Sequence, residues 1–210
     1  MGDLQSTYAG IGSRTTPERV VSLMTRLGKE LAALNWRLRS GGSGAADLAF
    51  EAGVRSQHPP DHWVHYMEIY LPWPGFDQRG VLACDYSLRE RPVAVQAWAL
   101  ARSVHTHWDN LKDPGRKLHA RNSFQILGPQ LLDPVDYAVY YSKPMDNGEV
   151  SGGTRTAVEI ARLFKVREIN LYTVQAQDAL QNVLDTECDD PLLEVWLTLQ
   201  RAAVKERVFG

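Results

Sequence analysis

Cysteine is scarce in this chain. Only Cys84 and Cys188 occur in 210 residues, too few and too far apart in sequence for a disulfide framework or a cysteine zinc site. No apolar run approaches the roughly 20 residues that cross a bilayer. Met1-Gly-Asp-Leu-Gln5 carries no charged segment followed by an apolar one, so a cytoplasmic chain without a membrane partner is expected. Positive charge is not in excess either: 23 basic residues against 25 acidic ones leave a net charge of -2. That balance speaks against a broadly basic nucleic-acid surface while leaving room for a local groove. There is no tandem repeat, low-complexity linker or clean boundary, so residues 1–210 read as a single domain. With 44% hydrophobic and 23% charged residues, the chain has the make-up of a globular protein with one sizeable α/β core.

Glycine is concentrated where strands turn into helices. Thr7-Tyr-Ala-Gly-Ile11 reads as a first strand and Gly12-Ser13-Arg14-Thr15 as the loop leaving it. Thr16 as N-cap, Pro17 at the first helical position and Glu18 in the first turn predict a helix start. Val20, Met24, Leu27, Leu31 and Leu34 follow at spacings of three and four, so that helix buries one face. Trp36 to Arg39 is a second strand, leading into Ser40-Gly41-Gly42-Ser43-Gly44-Ala45-Ala46-Asp47 and a helix from Ala45 that Gly53 is expected to stop.

Met67 to Leu71 is a third strand, ended by the corner Pro72-Trp73-Pro74-Gly75-Phe76, which is either a wall for a flat base or a packed loop. Ser87 to Asn110 reads as mostly helical, interrupted or started at Pro92, with His105, His107 and Trp108 in its last turns. Histidines two apart leave a helix on different sides, so no metal is expected there. Pro114 to Gly128 predicts another helix, with Arg121 and Gln125 four apart on one face. Asp133-Pro134 precedes the strand Tyr137 to Tyr141; later come the strand Ile169 to Thr173, a helix from Gln177, and a last helix from Asp190-Pro191 that closes the core or pairs with another subunit.

Strands alternating with helices at this spacing predict an α/β fold with a doubly wound, mostly parallel sheet. Ligands of such sheets sit outside the carboxyl ends of the strands, where all three glycine-rich loops are placed. The third of them, Ser151-Gly152-Gly153-Thr154-Arg155-Thr156-Ala157-Val158-Glu159, joins a strand to a helix expected over Ala157 to Phe164. Glycines let a ligand approach the backbone, and the free N-H groups and dipole of the next helix favour a phosphate. Glu159 has two readings: a carboxylate that meets a bound nucleotide, or the far half of a capping box begun by Thr156.

These residues resemble the Rossmann-like superfamily that joins the DNA-processing protein A family with the "lonely guy" cytokinin-activating phosphoribohydrolases. Gly12-Ser13-Arg14 and Ser40 to Asp47 are similar to the first and second loops of the DNA-processing side, the latter reading Ser-Gly-Gly-Ala-x-Gly-Ile-Asp there. Ser151 to Glu159 resembles the phosphoribohydrolase signature Pro-Gly-Gly-x-Gly-Thr-x-x-Glu, and Leu118-His119-Ala120-Arg121-Asn122 its Met-His-Glu-Arg-Lys helix. The likeness runs over roughly residues 8 to 172, around an insertion at about 72–114. It implies a small-molecule nucleotide ligand, no cofactor, and a homodimer or higher homo-oligomer.

By the same resemblance, Gly152, Gly153 and Thr156 hold a phosphate, with Thr154 and Arg155 beside them in the nucleotide site. Gly12, Ser13, Arg14, Ser40, Gly41, Gly42, Ser43, Asp47 and Asn122 complete the nucleotide site, and Arg121 with Glu159 form the catalytic pair. The implied reaction is hydrolysis of the N-glycosidic bond of a nucleoside 5'-monophosphate, in which a carboxylate stabilises an oxocarbenium-like state and orients water. Ser151, Arg155 and Asn122 depart from the signature proline, glycine and lysine. A nucleotide sensor without chemistry and a single-stranded-DNA binder are the alternatives.

Overall fold

The structure is a computed structural model and describes residues 5–80, 82–88 and 93–209. It is an α/β fold of Rossmann-like type: six strands, all parallel, in the order β4-β3-β2-β1-β5-β6, with helices on both faces. The strands are β1 Thr7–Gly12, β2 Arg37–Ser40, β3 Met67–Leu71, β4 Asp85–Ser87, β5 Tyr137–Tyr141 and β6 Arg167–Asn170. The inner strands are buried along nearly their whole length, as expected for strands covered on both sides.

Helices α1 Glu18–Ala33, α2 Gly44–Gln57, α7 Val174–Leu184 and α8 Pro191–Phe209 pack on one face. A single short turn, α3 Trp63–Tyr66, precedes β3. Helices α4 Ala94–Val104, α5 Asp113–Leu127 and α6 Thr154–Leu163 cover the other face. The chain winds outward from β1 to β4, then returns to place β5 on the other side of β1. That reversal opens a crevice between the loops after β1 and β5, where sheets of this kind bind ligands.

Several local expectations are corrected. Thr16 does not cap α1: Pro17 holds the cap position, and the Thr16 hydroxyl donates to the Ser13 carbonyl at 2.7 Å. Gly53 does not end α2, which continues to Gln57. It lies where α2 crosses α1, and a β-carbon there would come 2.6 Å from the Lys29 backbone nitrogen. Its partner across the crossing is Gly28, where a β-carbon would lie 2.6 Å from the Phe50 carbonyl oxygen. Small size, needed for close helix approach, is the reason for glycine here.

Ser87 closes a strand instead of opening a helix; the helix of this region is Ala94–Val104, and His105, His107 and Trp108 follow it. Pro92, its expected start, lies outside the described residues, as do the first four residues of the chain. Segment 72–114 therefore supplies the edge strand β4 and the helix α4 that supports α5. At that edge Arg79 grips the Asp85 carboxylate at 2.8 and 2.9 Å.

Strand β6 stops at Asn170, short of the expected Thr173, because the Asn170 side chain takes over the hydrogen bonds of the strand end. Thr173 instead caps α7, accepting from Ala176 N at 3.2 Å, so α7 begins at Val174, three residues before the expected start. Beyond the strand start, Glu168 on β6 accepts from the Tyr140 hydroxyl at 2.7 Å and from Arg162 at 3.0 Å. Among the described residues no helix is long and apolar enough to cross a membrane.

Candidate functional site

A cleft of about 570 Å³ opens at the crevice between β1 and β5. The loop after β1 contributes Gly12, Ser13, Arg14 and Thr15, and the start of α2 contributes Ser43 and Asp47. Helix α5 adds Leu118, His119, Arg121, Asn122 and Gln125, and the third loop adds Ser151, Gly152, Gly153 and Thr154. The loop floor is built for close approach. Gly152 has φ +75°, and a β-carbon on either Gly152 or Gly153 would meet nothing within 4 Å, so the backbone ahead of α6 faces open space. No side chain caps α6; Arg155 N donates to the Gly152 carbonyl at 3.2 Å, and the other backbone donors of the first turn are left for a ligand.

Arg121 stands opposite this turn, 7% exposed. Its guanidinium is held loosely. Nη1 donates to the Tyr70 carbonyl at 3.4 Å, lies 3.8 Å from Asp47 Oδ2, and Nε has no hydrogen-bond partner among the described residues. A desolvated cation with long, incomplete contacts is costly unless an anion completes it. Burial accordingly lowers the Arg121 pKa, with Asp47 acting against that shift. Gln125, with its amide oxygen turned towards the donors, accepts from Gly41 N at 2.9 Å and from Arg121 Nη1 at 3.2 Å, and donates to Asn122 Oδ1 at 2.9 Å. Asn122 in turn donates to the Gly153 carbonyl at 3.1 Å, so α5 is hydrogen-bonded to the third loop.

Asp47 is the carboxylate of the cleft. It is 3% exposed and accepts from Ser43 N at 3.2 Å. Burial pushes its pKa up to about 6, against the pull of Arg121 and of backbone N-H groups at Ser43 and Gly12. His119 lines the cleft with Nδ1 2.7 Å from the Thr156 hydroxyl, and its ring meets that of His105 at 4.4 Å. Burial, then His105 and Arg121, push its pKa down to about 4, so it is neutral at pH 7. The basic side chains of the cleft are Arg14, Arg121 and Lys143, against the single carboxylate of Asp47, within a chain of net charge -2.

Ten of the residues singled out by sequence line this cleft together: Gly12, Ser13, Arg14, Ser43, Asp47, Arg121, Asn122, Gly152, Gly153 and Thr154. Ser40, Gly41 and Gly42 stand behind it. The Ser40 hydroxyl is buried and donates to the Gly10 carbonyl at 2.6 Å, and Gly41 gives way to the Arg121 guanidinium. Thr156 is fully buried behind His119.

Arg155 turns out of the cleft to pair with Glu149, fastening the 143–151 turn onto α6. Glu159 is not in the lining. Its carboxylate pairs with Arg162 at 2.9 Å, and it stands two residues from the cleft-lining Ala157, about 200° around the helix. Glu159 thus does not line the cleft beside Arg121, and the capping box of Thr156 and Glu159 is not formed, since α6 begins at Thr154.

The proline-rich corner is a packed loop in which Trp73 meets Phe76 edge-on at 5.2 Å, outside the cleft. Lining residues that sequence reasoning did not assign to the site include His119, Gln125, Tyr141, Ser142, Lys143 and Tyr172. The signal for Gln125 was its four-residue spacing from Arg121; for Tyr141 it was its place at the end of a strand beside a glycine-rich loop. Among the described residues no three His, Cys, Asp or Glu side chains gather as a metal site. Comparison with protein-family models, curated proteins and solved structures gave no match.

Proposed function

We propose that the cleft binds a nucleoside 5'-monophosphate or a close derivative and that the protein hydrolyses its N-glycosidic bond. The observation that carries this reading is the pairing of an uncapped, glycine-flanked α6 N-terminus with the buried, incompletely partnered Arg121 across one cleft. The phosphate sits at Gly152 to Thr154, where backbone donors and the helix dipole favour it. Arg121 holds a second polar group of the ligand, and the loop resemblance to phosphoribohydrolases supports the same class of substrate.

In this reading the carboxylate is Asp47, since Glu159 faces away. As the C1'-N bond breaks, its electron pair leaves with the base and positive charge grows on the ribose ring. Ionised Asp47 stabilises that charge and takes a proton from the water that adds to C1', while the departing base nitrogen is protonated from solvent. A pKa near 6 leaves Asp47 mostly ionised, yet basic enough to accept a proton, at pH 7.

A second reading, nucleotide binding without chemistry, is favoured by one observation: an Asp47 oxygen already accepts from Ser43 N and so serves the loop itself. Incubating the wild type and its Asp47→Asn variant with a panel of ribo- and deoxyribonucleoside monophosphates, with free base followed by chromatography, separates the two. Base release by the wild type and not by the variant is the expected result. A nucleotide that raises the melting temperature without any release would establish the binding protein instead.

A further inference from the structure

Tyr141 ends β5 and Tyr172 follows β6, the neighbouring strand, and both line the cleft. Their rings lie 5.4 Å apart, tilted by 43°, and each is only partly buried. One side chain holds the two together. Asn170 Oδ1 accepts from both Ser142 N and Tyr172 N at 3.2 Å, and its Nδ2 donates to the Ser142 carbonyl at 2.8 Å. The residue that stops β6 therefore also fixes the backbone immediately after Tyr141 and at Tyr172.

We propose that Tyr141 and Tyr172, set by Asn170, form the nucleobase subsite of this cleft. The inference rests on reading the cleft as a nucleotide site. A planar base needs roughly 7 Å between two rings to lie sandwiched, twice a carbon-carbon contact of about 3.5 Å, so these rings do not take it between them. The base lies on their cleft side, over the face of one ring and against the edge of the other, both favourable arrangements for π-systems. The phosphate cradle at Gly152 to Thr154 and both tyrosines line the same cleft of about 570 Å³. A single nucleotide thus spans cradle and tyrosine wall. Stacking is tolerant of base identity, so this wall selects for a base as such, and purines and pyrimidines both fit it.

The test compares ribose 5-phosphate with the 5'-monophosphates of formycin and pseudouridine, whose carbon-carbon glycosidic bonds survive hydrolysis. Dissociation constants are measured by calorimetry for the wild type and for the Tyr141→Leu, Tyr172→Leu and Asn170→Ala variants, each checked for an intact fold by circular dichroism. The wild type should prefer at least one nucleotide over ribose 5-phosphate by about tenfold or more. Each tyrosine variant should shrink that preference to within about threefold while leaving ribose 5-phosphate affinity unchanged, and Asn170→Ala should reduce it partway. An undiminished preference in both tyrosine variants would place the base elsewhere and overturn the proposal. Equal losses for both ligands would overturn it too, by making the tyrosines supports of the whole cleft. Ribose 5-phosphate bound as tightly as the nucleotides would remove the base wall alone, whereas binding of none of the three would remove the nucleotide reading with it.

Discussion

The guanidinium of Arg121 occupies the space that a side chain on Gly41 would fill: a β-carbon there would fall on Nη1 and lie 2.6 Å from the Gln125 amide. The obstruction is the far end of a flexible side chain, so Gly41→Ala has an inexpensive escape, in which Arg121 swings away. Its effect should appear in function. We expect at least a tenfold loss of nucleotide affinity with a stability change of no more than about 1–2 kcal/mol, read by calorimetric titration and thermal melting. Wild-type affinity in a folded Gly41→Ala protein would show that the observed position of Arg121 is not required for binding.

Glu159→Ala makes the opposite case. The carboxylate faces Arg162 on the outside of α6, so its removal should leave nucleotide binding and base release unchanged and cost about 0.3–0.5 kcal/mol, the worth of an ion pair on a helix surface. Loss of base release in this variant would return Glu159 to the active site and displace Asp47 from the role proposed for it.

Two groups of the cleft bend the pH dependence of stability in opposite directions. Asp47 is raised from 3.8 to about 6, so the native state holds its proton more tightly than the unfolded chain, and this contribution is fully present below 3.8 and is lost as pH rises through about 6. His119 is lowered from 6.5 to about 4; its contribution is present above 6.5 and is lost as pH falls through about 4. The two slopes oppose each other between about 4 and 6. Denaturant titrations across that range should show Asp47→Asn gaining a steeper rise of stability with pH than the wild type, and His119→Gln a steeper fall. Parallel pH profiles for all three proteins would mean that neither group is perturbed as its surroundings imply.

Gly53→Ala tests the α1–α2 crossing. Alanine is the better helix former by about 1 kcal/mol, but its β-carbon would press on the backbone of α1 at Thr25 and Lys29. Backbone cannot swing aside, so the two helices must part, and a net loss of about 2 kcal/mol is expected. An unchanged or raised midpoint in urea would show that the crossing has room for a β-carbon.

Glycine at strand-to-helix joints made the three loops legible in the sequence, because few other residues tolerate φ +60° at Gly42 or φ +75° at Gly152. Asp47 was legible with them, lying one turn into the helix that follows the second loop. For Glu159 the motif was less informative, because its spacing counts residues without saying where the helix begins. With α6 starting at Thr154, that position turns outward. The tyrosine wall was out of reach for a different reason: Tyr141 and Tyr172 meet only because β5 pairs with β6 and Asn170 bridges their ends, relationships between segments about thirty residues apart. The three-residue β4 is too short for its alternation to stand out from the turns around it.

The two outer strands have a consequence for the protein at high concentration. An unpaired strand edge is a template on which another chain can polymerise, and long, flat, uncharged edges are the most dangerous. Here one margin is the three-residue β4, with its Asp85 carboxylate clasped by Arg79, and the other is the four-residue β6, which opens with Arg167 and Glu168. Neither offers a long apolar ribbon for a second chain to extend, so fibrillar growth from the native sheet is discouraged at both ends.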